Sequence, residues 1–235
     1  MFDVDNQIFD LSALTDLILS QPLLGSTVKV EGNESDPYAF LTVLNLKIHG
    51  NKPAIATIVK YLLERTATSP ELEPLQGLLG SGSNASIGLL LTERLINLPV
   101  QVIPPMYKML LEEIQWAIEE KEPYEFSHYL IMSKTYQEVV SALDAQMGGN
   151  KKKKQKVGSN LDASGFFFHP EDEVLQRHAI CFGGFDYSMT VGEGSADSRR
   201  AFQENGIKPQ GHLILIEAAK FEGAIAALEA FVGQI

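Results

Sequence analysis

A chain of 235 residues can bury a sizeable core in one large domain or two small ones, and 45% hydrophobic against 21% charged residues excludes a disordered or fibrous protein. No run approaches the roughly 18 apolar residues a membrane-spanning helix needs, and the opening MFDVDNQIFD lacks the basic-then-apolar order of a secretory signal. The formal charge of −11 understates the acidity: Lys151, Lys152, Lys153, Lys154 and Lys156 hold five of the 19 basic residues, and outside that run 30 acids face 14 bases, a balance of −16.

In chain order, residues 10–19 (DLSALTDLIL) place Leu11, Leu14, Leu17 and Ile18 at helical spacing, with Asp10 or Ser12 as cap and Pro22 as stop. YAFLTVLNLKI, opened by Asp36-Pro37, predicts a strand turning Phe40, Thr42, Leu44, Leu46 and Ile48 to one face. PAIATIVKYLLERTA is a helix with Pro53 in its first turn and an apolar stripe of Ile55, Ile58, Val59, Leu62 and Leu63. A shorter helical piece, PELEPLQGLL, runs into the loop GSGSNAS. Residues 87–95 predict a strand whose first half, IGLLL, is apolar on both faces, as a central strand is.

The longest helix, MYKMLLEEIQWAIEEKE, has Met106, Met109, Leu110, Ile114, Ala117 and Ile118 on its buried side, with Glu113 the exception. YEFSHYLIMSKTY, from Tyr124, is a strand by its aromatic and β-branched content. From Ser141 the pattern fades into AQMGGNKKKKQKVGSNLDASG, an exposed loop. Order resumes over residues 166–168, residues 169–187 stay open between helix and strand, and GHLILIEA and KFEGAIAALEAFV close the chain as strand and helix. Strands alternating with helices predict an α/β fold, one domain over residues 1–235. It has a mixed central sheet flanked by helices and a flexible lysine-rich loop at about 145–163.

Motifs for small-molecule chemistry fail on context. Gly80-Ser81-Gly82-Ser83-Asn84-Ala85 has the letters of a dinucleotide fingerprint, but a helix precedes it and a strand follows, the reverse of what sets a helix N-terminus on a pyrophosphate. Gly192-Glu193-Gly194 is weaker. His49, His128, His169, His178 and His212 pair with no His, Cys or acid at a metal-defining spacing. In HPEDE, Pro170 at a first helical position followed by Glu171, Asp172 and Glu173 reads as helix-start chemistry favourable to the dipole, and soft zinc ligands are missing. Cys181, the sole cysteine, reads as a small buried residue. With no disulfide and no signal it favours a reducing compartment, cytosol or nucleus. No serine sits in a Gly-x-Ser-x-Gly elbow. No catalytic, cofactor-binding or metal residue is therefore assigned.

The lysine run has two readings: a solvated loop extended by its own repulsion, or a nuclear-import patch or anionic contact. The acidic remainder repels nucleic acid over about the 8 Å Debye length of physiological salt and attracts cationic partners.

ERLINLPVQVIPPMY, residues 93–107, is a strand–turn–helix passage of the kind that holds phosphate in many α/β enzymes. Its prolines, Pro99, Pro104 and Pro105, bring no N–H, and Leu98, Val100, Val102 and Ile103 bring no donor side chain. It reads as a rigid apolar splice, in which Glu93, Arg94 and Asn97 form a structural polar network.

GLLLTERLINLPVQVIPPMYKMLLEEI, then YEFSHYLIMSKTY, the lysine-rich loop, FFFHPEDEVLQRHA and GIKPQGHLILIEAAKFEGA strongly resemble, in order and spacing, segments of the BCCIP/Bcp family. The likeness spans nearly the whole chain and is nearest the fungal branch. It makes Glu93, Arg94, Asn97, Pro99, Pro104 and Pro105 a structural signature. It implies a fold similar to the Gcn5-related acetyltransferases without known acetyltransferase activity, and no cofactor. It also implies a chaperone and escort for one basic large-subunit ribosomal protein, the universal fourteenth and fungal twenty-third. The expected setting is the nucleus with shuttling to the cytoplasm, with a phosphoinositide kinase and nuclear transport factors as further partners and no membrane or direct nucleic-acid contact. Animal relatives additionally bind the DNA-repair protein of the second breast-cancer susceptibility gene and a cyclin-kinase inhibitor. Family members are expected to carry an acidic tail, a strand and a helix before the segment matching Phe9, so that a chain starting here is a shortened one. Acetyltransferases of this fold bind the coenzyme pyrophosphate with a Gln/Arg-x-x-Gly-x-Gly/Ala turn, and the equivalent residues 93–107 contain no such pattern. The rival expectations are an acetyltransferase-like enzyme binding acyl-coenzyme A and a multi-partner nuclear adaptor.

Overall fold

Four apolar runs that alternate large side chains to both faces must be covered on both faces, and one sheet satisfies all four. The computed structural model describes residues 3–80, 82–138, 166–188 and 207–234. Its strands are β1 (Ser26–Val28), β2 (Ala39–Asn45), β3 (Ile87–Arg94), β4 (His128–Glu138), β5 (Phe166–Phe167), β6 (Cys181–Phe185) and β7 (Ile207–Glu217). They form one mixed sheet in the order β1-β2-β3-β4-β7-β6, with β5 paired to β4, and only β3 and β4 run parallel. The expected α/β domain with a mixed central sheet is what forms. The lysine-rich loop and the Gly192-Glu193-Gly194 cluster lie outside the described residues.

Period-two alternation divides the core. Leu41, Val43, Leu90, Ile131, Ile214 and Ile216 face one layer, where they meet α4 (Ile103–Glu119), α5 (Glu171–Gln176) and α6 (Ala218–Val232). Leu44, Leu89, Leu91, Leu130, Leu213 and Leu215 face the other, against α1 (Leu11–Leu19), α2 (Pro53–Thr66) and α3 (Glu73–Leu79). Full burial of a Leu or Ile contributes roughly 1.5–3 kcal/mol relative to exposure, so the double-sided runs of β3, β4 and β7 outweigh any single surface contact. Phe221 of α6 stacks on Tyr129 of β4, centroids 4.2 Å apart, and locks that helix to the sheet.

Local signals place the helices where the periodicity does. Asp10 caps α1 by accepting from the Ala13 N–H at 2.9 Å, and Pro53 opens α2 in its first turn. The differences have packing causes. Leu11 is exposed at the first position of α1, Ile48 is exposed in the turn after β2, which ends at Asn45 and not at the expected residue 48, and Met109 lies on the outer side of α4. Glu113, the expected exception to the buried side of α4, is itself buried at 8% exposure. The start of β1, a three-residue edge strand too short to show alternation, crosses α4 there. The Gly25 N–H (2.9 Å) and Ser26 hydroxyl (2.7 Å) both donate to the Glu113 carboxylate. Gly25 adopts φ +114°, and a Cβ on it would stand 2.9 Å from Thr42 Oγ1. Residues 124–127 precede β4 rather than extend it; there Tyr124, Phe126 and Tyr129 form a ring ladder at 6.0 and 5.4 Å. The open stretch 169–187 contains both answers, α5 and then β6. At the β6–β7 pair the Phe185 ring lies over Gly211, where a Cβ would come within 2.2 Å of it.

His212 of β7 is almost fully buried, and its Nε2 lies 2.6 Å from Gln176 Oε1 on α5. Burial pushes its pKa down to about 4, against 6.5 for an exposed imidazole. The unfolded chain therefore takes up a proton that the folded chain refuses. The stability is complete above pH 6.5 and is lost as the pH falls toward 4. Urea unfolding of the wild type should lose on the order of 2 kcal/mol more between pH 7 and pH 5 than that of His212→Gln. Equal losses in the two proteins would show that His212 titrates normally.

Candidate functional site

The parallel pair β3–β4 does not stay paired. Their register runs from Ile87↔His128 to Leu90↔Ile131 and stops, although β3 continues to Arg94 and β4 to Glu138. Each strand keeps its other neighbour throughout: β2 follows β3 to the pair Ala39↔Arg94, and β7 follows β4 along its full length. The two strands thus splay apart toward their C-terminal ends. In open α/β sheets such a crevice is the usual place for a ligand.

Here the chain fills it. β5 pairs with the free edge of β4 through Thr135↔Phe167 and Tyr136↔Phe166, and the Phe168 N–H donates to the Lys134 carbonyl. The chain then enters α5, whose first two residues reach back to both strands. Arg94 at the end of β3 donates to Glu171 through Nε (2.7 Å) and Nη2 (3.0 Å), with the two side chains only 8% and 4% exposed. Ser133 of β4 donates to Asp172 at 2.5 Å. Beside them the Lys134 ammonium sits 3.0 Å from both Glu93 oxygens, and His169 Nε2 lies 3.4 Å from Glu93 Oε1.

The electrostatics follow from burial. Burial pushes the Asp172 carboxyl up to about 6, against the Ser133 hydrogen bond and with the neighbouring Glu171 adding to the rise. Tyr107, fully buried next to these acids, is pushed well above the ordinary phenol value by burial and by Asp172 and Glu171. Burial also acts to raise Glu93, but the His169 hydrogen bond and the Lys134 ammonium are among the contacts that hold it well below the usual carboxylate range. Ser133 and Asp172 resemble a nucleophile with a base, yet both are sealed at 5% exposure, so no substrate atom can reach the hydroxyl.

The turn after β3 is organised around a cation. Besides its two bonds to Glu171, Arg94 donates through Nη1 to the carbonyls of Leu95 (3.4 Å) and Leu98 (3.2 Å). Within the turn the Leu98 N–H goes to the Leu95 carbonyl and the Val102 N–H to that of Pro99. Carbonyls turned inward on a guanidinium make the opposite of a phosphate cradle, which turns N–H groups outward.

Of the residues singled out in the sequence, Glu93 and Arg94 enter this network. Asn97 is exposed and makes no side-chain hydrogen bond among the described residues. Pro99 caps a short 3-10 turn (Val100–Val102), and Pro104 and Pro105 sit in the first turn of α4, Pro104 buried and Pro105 exposed. Lys151, Lys152, Lys153, Lys154 and Lys156 lie outside the described residues. Pro170 stands one position earlier than expected, as the N-cap of α5. Its three acids are not equivalent helix-start charges: Glu173 is exposed and pairs with Arg177 at 2.8 Å, whereas Glu171 and Asp172 turn inward. Ser133 and Lys134 stand almost forty residues from Glu171 and Asp172, so the sequence does not show the four as a cluster. The available signal was Arg94 and Lys134 closing or continuing apolar strands, because a cation there must find a buried acid.

Among the described residues no group of three or more His, Cys, Asp and Glu is placed to hold a metal. Cys181 is buried and free, and burial raises its thiol. The segment from Gly80 keeps the helix-before, strand-after order, between α3 and β3, and so offers no dinucleotide site. It edges a groove of about 640 Å³ between α2, α3 and the start of β3. Leu46, Val59, Leu63, Leu78, Leu79 and Ile87 make that groove mostly apolar, with Lys47, Ser83 and the exposed pair Lys60–Glu64 also in its lining.

A buried ion pair adds little net stability, but removal of one partner strands a charge at roughly 3–5 kcal/mol. Arg94→Met should cost that amount in urea denaturation, and Arg94→Met with Glu171→Met should recover most of it. A single variant within about 1 kcal/mol of wild type would show that the pair is not what holds α5 in the crevice.

The BCCIP family model matches residues 1–175. Protein bcp1 of Aspergillus fumigatus is 60% identical over 232 residues, covering 99% of this chain and 79% of that protein. Protein bcp1 of Schizosaccharomyces pombe is 50% identical over 227 residues, with 95% and 79% covered. The crystal structure of BCP1 from Saccharomyces cerevisiae superposes with a TM-score of 0.61 at 21% identity, over 98% of this chain and 78% of that one, a likeness of fold. On the family match over residues 1–175 and these relatives, the chain belongs to the BCCIP/Bcp1 family.

Proposed function

We propose that this protein is a non-enzymatic chaperone and escort of a basic large-subunit ribosomal protein, the universal fourteenth and fungal twenty-third, in ribosome biogenesis and nuclear transport. The observation that carries the reading is charge. Outside the lysine run 30 acids stand against 14 bases, an excess that shields a cationic RNA-binding client and draws it in by steering. Family membership supports it. The site of action is the nucleus with shuttling to the cytoplasm, with a phosphoinositide kinase and nuclear transport factors as further partners and the lysine run as an import patch.

The fold is proposed to be similar to that of the Gcn5-related acetyltransferases, with β3, the proline turn and α4 at the position where those enzymes take the coenzyme pyrophosphate. Two features count against coenzyme binding there. The turn closes its carbonyls on Arg94, and residues 166–176 occupy the crevice beside it. A second reading, a nuclear adaptor with several partners, is favoured by the apolar groove between α2 and α3.

Binding of the purified basic ribosomal protein should weaken on the order of tenfold between about 50 and about 500 mM salt, measured by titration calorimetry. An affinity independent of salt would remove charge as the driving term.

A further inference from the structure

Helix α4 is buried along one stripe, and its opposite stripe is exposed, touched among the described residues by Ser26 of β1, which donates to Met109 Sδ at 3.1 Å, and by Glu229 of α6, which pairs with Lys108. Positions 105, 108, 109, 112, 115, 116 and 119 recur at helical spacing on that outer side. Two of them are large and apolar: Met109 is 45% exposed and Trp116 55% exposed. Trp116 is the chain's single tryptophan. An indole exposed in the last turn of a helix has given up the burial that a core position would provide, and tryptophan is among the residues most enriched where one protein anchors another.

The surroundings of that indole are acidic. Glu112 lies one turn before Trp116, with Glu119 and Glu120 one turn after, all three exposed. Glu119 accepts from Gln115 at 3.1 Å, and among the described residues none of the three is paired with a cation. Lys108, on the same side of α4, is already paired, with Glu229 of α6 at 2.7 Å.

We propose that the outer face of α4 is the docking surface for a lysine- and arginine-rich segment of the client. The proposal rests on the reading that the client is basic. A guanidinium or ammonium over the face of Trp116 gains the strongest of the aromatic cation contacts, and the carboxylates on either side take the flanking charges. Complementarity selects this occupant over the others. A second copy meeting face to face would set Glu112, Glu119 and Glu120 against themselves, and a nucleic acid would be repelled.

Because no other tryptophan contributes, the emission of the full-length chain reports on this face directly. Two probes are titrated at low salt, the basic ribosomal protein and a deca-arginine peptide. Both should shift the emission saturably. Trp116→Ala, and separately the combined Glu112→Gln, Glu119→Gln and Glu120→Gln variant, should each weaken binding measured by calorimetry about tenfold. The triple variant should also flatten the salt dependence. All four positions are exposed, and unchanged far-UV circular dichroism excludes misfolding as the cause. Wild-type binding that both variants leave within about twofold removes this surface while leaving a basic client in place. A wild type that binds neither probe removes the surface and the functional reading together. An emission change on deleting residues 151–156 with no partner added would seat the chain's own lysine run on the face and overturn the proposal.

Discussion

The pair between Arg94 and Glu171 is the constraint on which the middle of the molecule depends. It joins the end of β3 to the start of α5 across the place where β3 and β4 have parted, and both charges are shut away from water. A pair so placed is weak as a source of stability and strong as a specification. The observed seating of residues 166–176 satisfies Arg94 through Glu171 and Ser133 through Asp172 together, and a seating that drew Glu171 away would strand the buried Arg94 charge. The same guanidinium gathers the carbonyls of residues 95 and 98, so the turn into α4 takes its shape from the cation inside it.

That arrangement separates two surfaces. The crevice between the parallel strands, where an α/β sheet commonly takes a ligand, is taken up by the chain's own strand and helix. The helical layers on either side keep what the crevice lacks, a contiguous acidic and aromatic face on α4 and an apolar groove between α2 and α3. A sheet buried on both faces makes a rigid platform for such outer surfaces, and this charge attracts partners of the opposite sign.

Much of the fold was legible because it is written in local periodicity. The double-sided apolar run IGLLL, the Asp10 cap and Pro53 at a helix start each act within a few residues, and each element stands where they put it. The same reading gave Glu113 to solvent and treated Glu171 and Asp172 as dipole partners, because burial of those acids is decided from far away. Glu113 is covered by a strand almost ninety residues earlier, and Glu171 and Asp172 meet cations and hydroxyls 77 and 39 residues distant. The family signature contains Glu93 and Arg94, but the Glu93 partners Lys134 and His169, and the Arg94 partner Glu171, emerge only when β4 and the start of α5 are brought together. Charge on a strand end announces that a partner exists without naming it.

The claim that the crevice is closed by the chain itself is open to one direct measurement, titration calorimetry of the full chain with acetyl-coenzyme A. A crevice filled by residues 166–176, beside a turn that presents carbonyls to a guanidinium, predicts no saturable heat. Saturable binding in the micromolar range would contradict it, showing that α5 leaves the crevice and that the site takes a coenzyme after all.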